Sequence, residues 1–267
     1  MLLLIPLLTA RAADSTDTTF TAAAAGTEAE KPTTTAAADL GATWTSGNTE
    51  AFAVNAAGHA AHMWQKNKVG LEILVNYGRS IGDANGDLFL DDAEREAGFA
   101  DDVAHYQADL RYDRFLSDTN TIYALAGWLS DKFAGYDTRV HGQVGYAHYF
   151  VKNDTTEFTG ELGFDVASEA YVASVTPDSD VIYSVREMLG VKHKFNENVA
   201  IEEKIEAYES VEDFSNTRVL NTIALTSNVS GKLAVKLSDT LAFDHVPVPN
   251  FQKLDQIAMA SLVLTIL

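Results

Sequence analysis

The sequence predicts an all-β fold, a single antiparallel transmembrane β-barrel of about 12 strands, behind a disordered N-terminal tail. Three observations predict it. From Asp39 onward, apolar and polar residues alternate with period two, so each segment has one oily and one polar face. The alternating segments run about 12 to 16 residues, where ordinary strands have about 5–6. A tilted strand needs about 9–11 residues to cross hydrocarbon. Short polar turns also alternate with longer connections, as they do between the two rims of outer-membrane barrels.

The elements follow in chain order. Residues 1–12 open on the apolar run Met1–Leu8 and reach Ala10-Arg11-Ala12, a small-x-small cleavage pattern that reads as a signal peptide. Residues 13–38, mostly Ala, Thr, Asp, Glu and Gly, have no apolar period and are expected to be disordered. The barrel is expected over 39–267, with strands at 39–46, 48–64, 69–82, 103–116, 121–132, 139–151, 155–172, 181–195, 199–212, 216–229, 232–245 and 255–267. The first pair requires Ser46-Gly47-Asn48-Thr49 to be a tight turn. The Ala-rich stretch 51–63 could be helical on propensity alone. In 103–116, Ala104, Tyr106, Ala108, Leu110 and Tyr112 oppose His105, Gln107, Asp109, Arg111 and Asp113. The segments 157–169 and 232–244 divide the same way, whereas the last strand is apolar on both faces. Trp64, Phe115, Phe150 and Phe195 each precede a short turn and are expected to form an interfacial aromatic girdle.

Composition excludes several classes. With 19 basic and 38 acidic residues the net charge is −19, against a nucleic-acid binder. The absence of cysteine removes disulfides, Cys-type zinc sites and thiol nucleophiles. No stretch approaches 18 consecutive apolar residues, so any membrane crossing falls to strands.

Asp39-Leu-Gly-Ala-Thr-Trp-Thr-Ser-Gly-Asn-Thr-Glu50 resembles the opening motif of the salt-induced outer membrane proteins, a family of unknown function. Tyr112–Phe115, Asp131–Arg139, Glu212–Arg218 and Pro247–Asp255 match further stretches in order. The resemblance covers about 39–267 and implies an outer-membrane barrel of a Gram-negative-type bacterium, linked to salt or osmotic stress, with no assigned catalytic residue or cofactor. Its implied partners are outer-membrane lipid or lipopolysaccharide and the barrel-assembly machinery, and the oligomeric state stays open.

Candidate sites are few. The polar faces carry both signs, and Asp109, Arg111, Asp113, Arg139, Glu157, Glu161, Asp165, Lys204, Arg218 and Lys236 are expected to line the lumen as ion-paired rungs. Asp83, Asn85, Asp87 and Glu94 fall at calcium-loop spacing, but Leu88 stands where the loop needs Gly, so a solvated acidic loop is the preferred reading. His59 and His62 would oppose each other on a strand, against metal ligation. His141 with Ser168 or Ser184 lacks a nucleophile-elbow motif. The sequence therefore points to a non-enzymatic, porin-like envelope barrel, structural or a narrow solute or ion pore. An outer-membrane lipid or ester hydrolase and a soluble periplasmic β-protein with a ligand cavity are the alternatives.

Overall fold

The computed structural model describes residues 29–45, 50–81, 91–173, 175–249 and 251–266. The signal peptide, the tail to residue 28, the Ser46–Thr49 turn and the Asp83, Asn85 and Asp87 candidates lie outside the described residues. Twelve antiparallel strands close into a barrel, each paired with its sequence neighbours and the first with the last. They are β1 (Ala29–Thr45), β2 (Glu50–Gln65), β3 (Asn67–Ile81), β4 (Ala100–Phe115), β5 (Asn120–Asp131) and β6 (Tyr136–Lys152). The second half is β7 (Thr156–Tyr171), β8 (Ser179–Lys194), β9 (Val199–Ser210), β10 (Thr217–Asn228), β11 (Leu233–Asp244) and β12 (Leu254–Thr265). Among the described residues no helix is long and apolar enough to cross a membrane.

Burial is inside out relative to a globular core. His105, Asp109, Asp165, Glu169, Arg186 and Glu206 are buried, whereas Leu110, Trp128, Val144, Leu162, Leu189 and Leu237 are exposed. Period two produces this: closing the sheet turns one face of every strand inward, and that face is the polar one.

Three expectations change. First, β1 begins at Ala29, inside the expected tail, and the Thr33-to-Thr45 stretch pairs with β2. From Thr33 to Ala38 both faces of this strand carry small residues, so that stretch has no apolar alternation to read, yet the ladder needs only backbone groups. The Ala-rich 51–63 stretch is strand for the same reason. Second, Phe115 is buried, because it shares the inward parity of Asp109 and Asp113. Phe150 and Phe195 are exposed on the outer wall and Trp64 is half-buried there, but Phe115 does not join them. Third, the 83–102 connection contains a short helix, α1 (Asp92–Ala97). Its capping box is built by Asp91 and Glu94, which donate and accept reciprocally at 2.9 and 3.0 Å.

The short connections between β2 and β3, β4 and β5, β6 and β7, β8 and β9, and β10 and β11 share one rim with the start of β1 and the end of β12. At the opposite rim, the connections after β5, β7 and β11 meet in an apolar cap of Tyr136, Val175 and Val248, flanked by Val172 and Phe251. The ladders are long everywhere but at one place. β1 and β12 are registered over four residue pairs, from Ala37↔Thr265 to Leu40↔Leu262, whereas β2 and β3 are registered from Glu50↔Ile81 to Trp64↔Asn67. Hydrogen exchange followed by mass spectrometry should therefore find the β12 stretch 254–261 exchanging on the order of tenfold faster than the stretch 140–147 of β6. Equal protection would mean that the seam is as tightly laddered as the rest.

Candidate functional site

The interior is divided by side-chain size. Inward positions of β1 and β2 hold Thr35, Ala37, Gly41, Ala53, Ala57 and Ala61, alternating with Asp39 and His59. Inward positions of β4 to β9 hold Arg111, Tyr123, Arg139, Glu161, Arg186 and Tyr208. One side of the barrel is filled, and the side against β1 and β2 is left open.

The filled side is an ion-paired lattice. Arg111 donates to Glu161 at 2.7 and 3.2 Å and to Asp113 at 3.0 Å. Arg186 donates to Glu161 Oε2, which it shares with Arg111, at 2.6 Å and to Glu206 at 3.0 Å, and Lys204 stands 3.4 Å from Glu206. Charges of alternating sign thus run from β4 through β7 and β8 to β9. A second chain crosses from β6 to β11: Arg139 and Arg218 meet Glu169 at 3.3 and 2.6 Å, and Arg218 also donates to Asp244 at 2.9 Å. The Glu161 and Glu169 side chains are 0% exposed. Burying a carboxylate there is tolerable because two guanidiniums face each one.

Glycine makes room for this lattice at two places. Tyr123 is in register with Gly145, which is in register with Gly163, which faces Arg186. A Cβ on either glycine would come within 2.6 Å of the Tyr123 ring or hydroxyl. Tyr123 lies across this shelf, accepts from Arg186 at 2.8 Å and has the Arg111 guanidinium 4.1 Å above its ring. Likewise, a Cβ on Gly127 would fall 2.0 Å from His141 Nε2 and 2.3 Å from Asp109 Oδ1, so the gap at Gly127 lets these two side chains meet over β5.

Each sequence candidate can now be placed. Asp109, Asp113, Arg139, Glu161 and Asp165 are buried inside. Arg111, Arg218 and Lys236 are nearly so, and Lys236 donates to Asp39 at 2.7 Å. Glu157 sits near the short-turn rim, in register with Lys152 and Lys192. His141 Nδ1 is 3.1 Å from Asp165 and Nε2 is 3.5 Å from Asp109. Both ring nitrogens thus face carboxylates rather than a serine hydroxyl. His59 faces inward, whereas His62 faces outward and meets Thr34 at 2.9 Å, so they share no site. Glu94 closes the α1 cap. The sequence reading missed Tyr123, the glycine shelf and the His59 cluster. An inward glycine in a strand is a readable sign of close approach, but the partner that approaches comes from another strand.

Cavities lie among Glu157, Met188, Lys192 and Lys204 of β7 to β9 and under the cap beside Arg139 and Arg218, and two lie along the open side. The lower one, toward the short-turn rim, is lined by Thr35, Ala37, Ala61, Lys68 and Gly70, among others. The upper one is lined by Asn55, Asn76, Ser238, Thr240, Ile257 and Met259, among others. The apolar inward residues of β12 are therefore part of this wall. His59 and Glu72 line both cavities.

The sequence matches, over residues 38–266, the family described as protein of unknown function, DUF481. No curated protein matches it. Among solved structures, the chain resembles the NanC porin with a TM-score of 0.51 at 11% identity, over 87% of this chain and 100% of that one. It resembles the COG4313 outer membrane channel from Pseudomonas putida F1 with a TM-score of 0.48 at 11% identity, over 87% and 95% of the two chains. At this identity the likeness to the NanC porin speaks to the barrel fold alone.

The lattice makes a direct prediction. Glu161→Leu leaves two buried guanidiniums without their shared carboxylate and should cost about 3–5 kcal/mol, measured by denaturant unfolding of the detergent-folded protein. A loss under about 1 kcal/mol, the scale of an exposed pair, would mean that the lattice is hydrated rather than dry.

Proposed function

The chain belongs to that family of proteins of unknown function, DUF481, and from this footing we propose that it is a non-enzymatic outer-membrane barrel with a narrow, off-axis polar passage. The observation that carries the reading is the division of the interior. Paired charges crowd the β4–β9 side, where two gaps share no lining residue, while small side chains on β1 and β2 leave two cavities that share His59 and Glu72 in their walls. Cavities that join along one side are what a passage needs. The apolar outer wall fits a bilayer, and the short-turn rim with the start of β1 and the end of β12 fits the periplasmic side. The name of one structure similar in fold, a porin, supports a passage. Lipid or lipopolysaccharide contacts the wall and the barrel-assembly machinery inserts it. The link to salt or osmotic stress rests on the motif resemblance from Asp39 to Glu50.

Four measurements test the reading. Membrane fractions should hold the protein, and the folded form should migrate differently on gels before and after boiling. Val144 is exposed near the middle of β6. Val144→Arg should cost about 2–4 kcal/mol of stability in lipid vesicles, as expected at a bilayer midplane. Recovery in the soluble fraction with no cost of this substitution would favour a periplasmic protein instead. In planar bilayers the folded protein should give small discrete current steps, and silence across many insertions would remove the passage.

A further inference from the structure

Where the two cavities meet, four charged or titratable side chains converge from separate strands: Asp39 of β1, His59 of β2, Glu72 of β3 and Lys236 of β11. Their spacing is unlike that of the filled side. Lys236 holds Asp39 at 2.7 Å, but the His59 ring stands 3.9 Å from Asp39 and 3.6 Å from Glu72. Neither ring nitrogen makes a hydrogen bond, although His59 is only 8% exposed. Just above, Asn76 is 3% exposed and lines the upper cavity, and neither its amide nitrogen nor its oxygen has a hydrogen-bond partner. Buried polar groups are ordinarily satisfied. Unmet ones facing a cavity are left for what occupies it, water or a solute.

We propose that this crossing is the selectivity constriction of the passage, that small cations pass it in preference to anions, and that His59 sets the preference. The inference rests on the passage reading and gives it an ion class. The charge balance argues for it. Asp39 and Glu72 bring two negative charges and Lys236 one positive, so a neutral imidazole leaves the constriction with one net negative charge. The charged groups facing it from below are already engaged. Arg111 is held by Glu161 and Asp113, Asp109 by Gln107 and His141, and Lys68 is in register with Asp113. A single net charge at a narrow point with weakly polarisable walls focuses the field and sorts ions by sign. The Asn76 amide offers an oxygen to a cation that has shed part of its hydration. A protonated imidazole would cancel the net charge, and the imidazole is the group here that gains a proton as the pH falls from alkaline to mildly acidic. The preference for cations should therefore be present at high pH and fade as the pH falls.

The test is the reversal potential of the full-length protein in planar bilayers under a potassium chloride gradient. The wild type should favour potassium at about pH 8 and lose most of that preference at about pH 5. His59→Ala should raise single-channel conductance about twofold or more by widening the constriction and should abolish the pH dependence. His59→Lys, permanently charged, should show little cation preference at either pH. The heat shift on gels confirms that each variant is folded, and Asn76→Leu serves as a second probe of the same point, expected to lower potassium conductance. A wild type that favours anions at about pH 8, or a His59→Ala channel with unchanged conductance and pH dependence, overturns the inference while leaving a passage in place. Silence of the wild type and of His59→Ala alike removes the passage itself and this inference with it.

Discussion

Everything in this molecule depends on one condition: every strand is paired on both sides, so the sheet has to close. A closed sheet leaves no edge carrying unpaired backbone groups, and it divides each strand's side chains into an enclosed set and an outward set. Because the enclosed set here is the polar one, closure forces acids and bases into a space too narrow to hydrate them fully. The alternating chain Asp113–Arg111–Glu161–Arg186–Glu206 is the response to that confinement. It links strands that are not neighbours in the sheet, β4 to β7 for instance, and so braces the barrel across its own interior.

The same condition explains why the two halves of the interior differ. The large inward side chains of β4 to β9 need partners across the lumen, and the glycines at 127, 145 and 163 are the places where the wall yields to them. The β1–β2 wall has nothing large to offer, so the lattice cannot extend to it. The apolar cap formed by the connections around Tyr136, Val175 and Val248 adjoins Arg139 and Arg218, part of the filled side. The cap thus has a cavity of its own beneath it, and two further cavities lie along β1 and β2, where the chain is poorest in side-chain volume.

Much of this was legible in the sequence, because alternation is a property of single strands. The strand count and the inward-facing charges at Asp109, Glu161 and Arg218 follow from parity within one segment. Parity also placed Phe115 inside, and the error there came from reading its position beside a turn without counting its face. β1 was obscured for a different reason: alternation shows only when the two faces differ, and from Thr33 to Ala38 both are small. The Asp91–Glu94 capping box was visible as a pattern and passed over. What no single segment carries is which inward residue meets which. The approach of His59 to Asp39 and Glu72, or of Tyr123 to Arg186, is decided by register between strands and by the curvature of the closed wall.

The brevity of the β1–β12 ladder has a consequence for how the molecule is made. Those two strands are the first and last of the barrel, so their pairing closes the largest loop of any ladder in it, at the greatest entropic cost and with the fewest bonds in return. Contacts of such long range form slowly. The hairpins from β2 to β11, each joined through a short connection or a nearby neighbour, can be complete before the ends meet. Assembly then ends in a curved, eleven-ladder sheet waiting on its last join, and the step that turns a sheet into a vessel is also the most readily reversed.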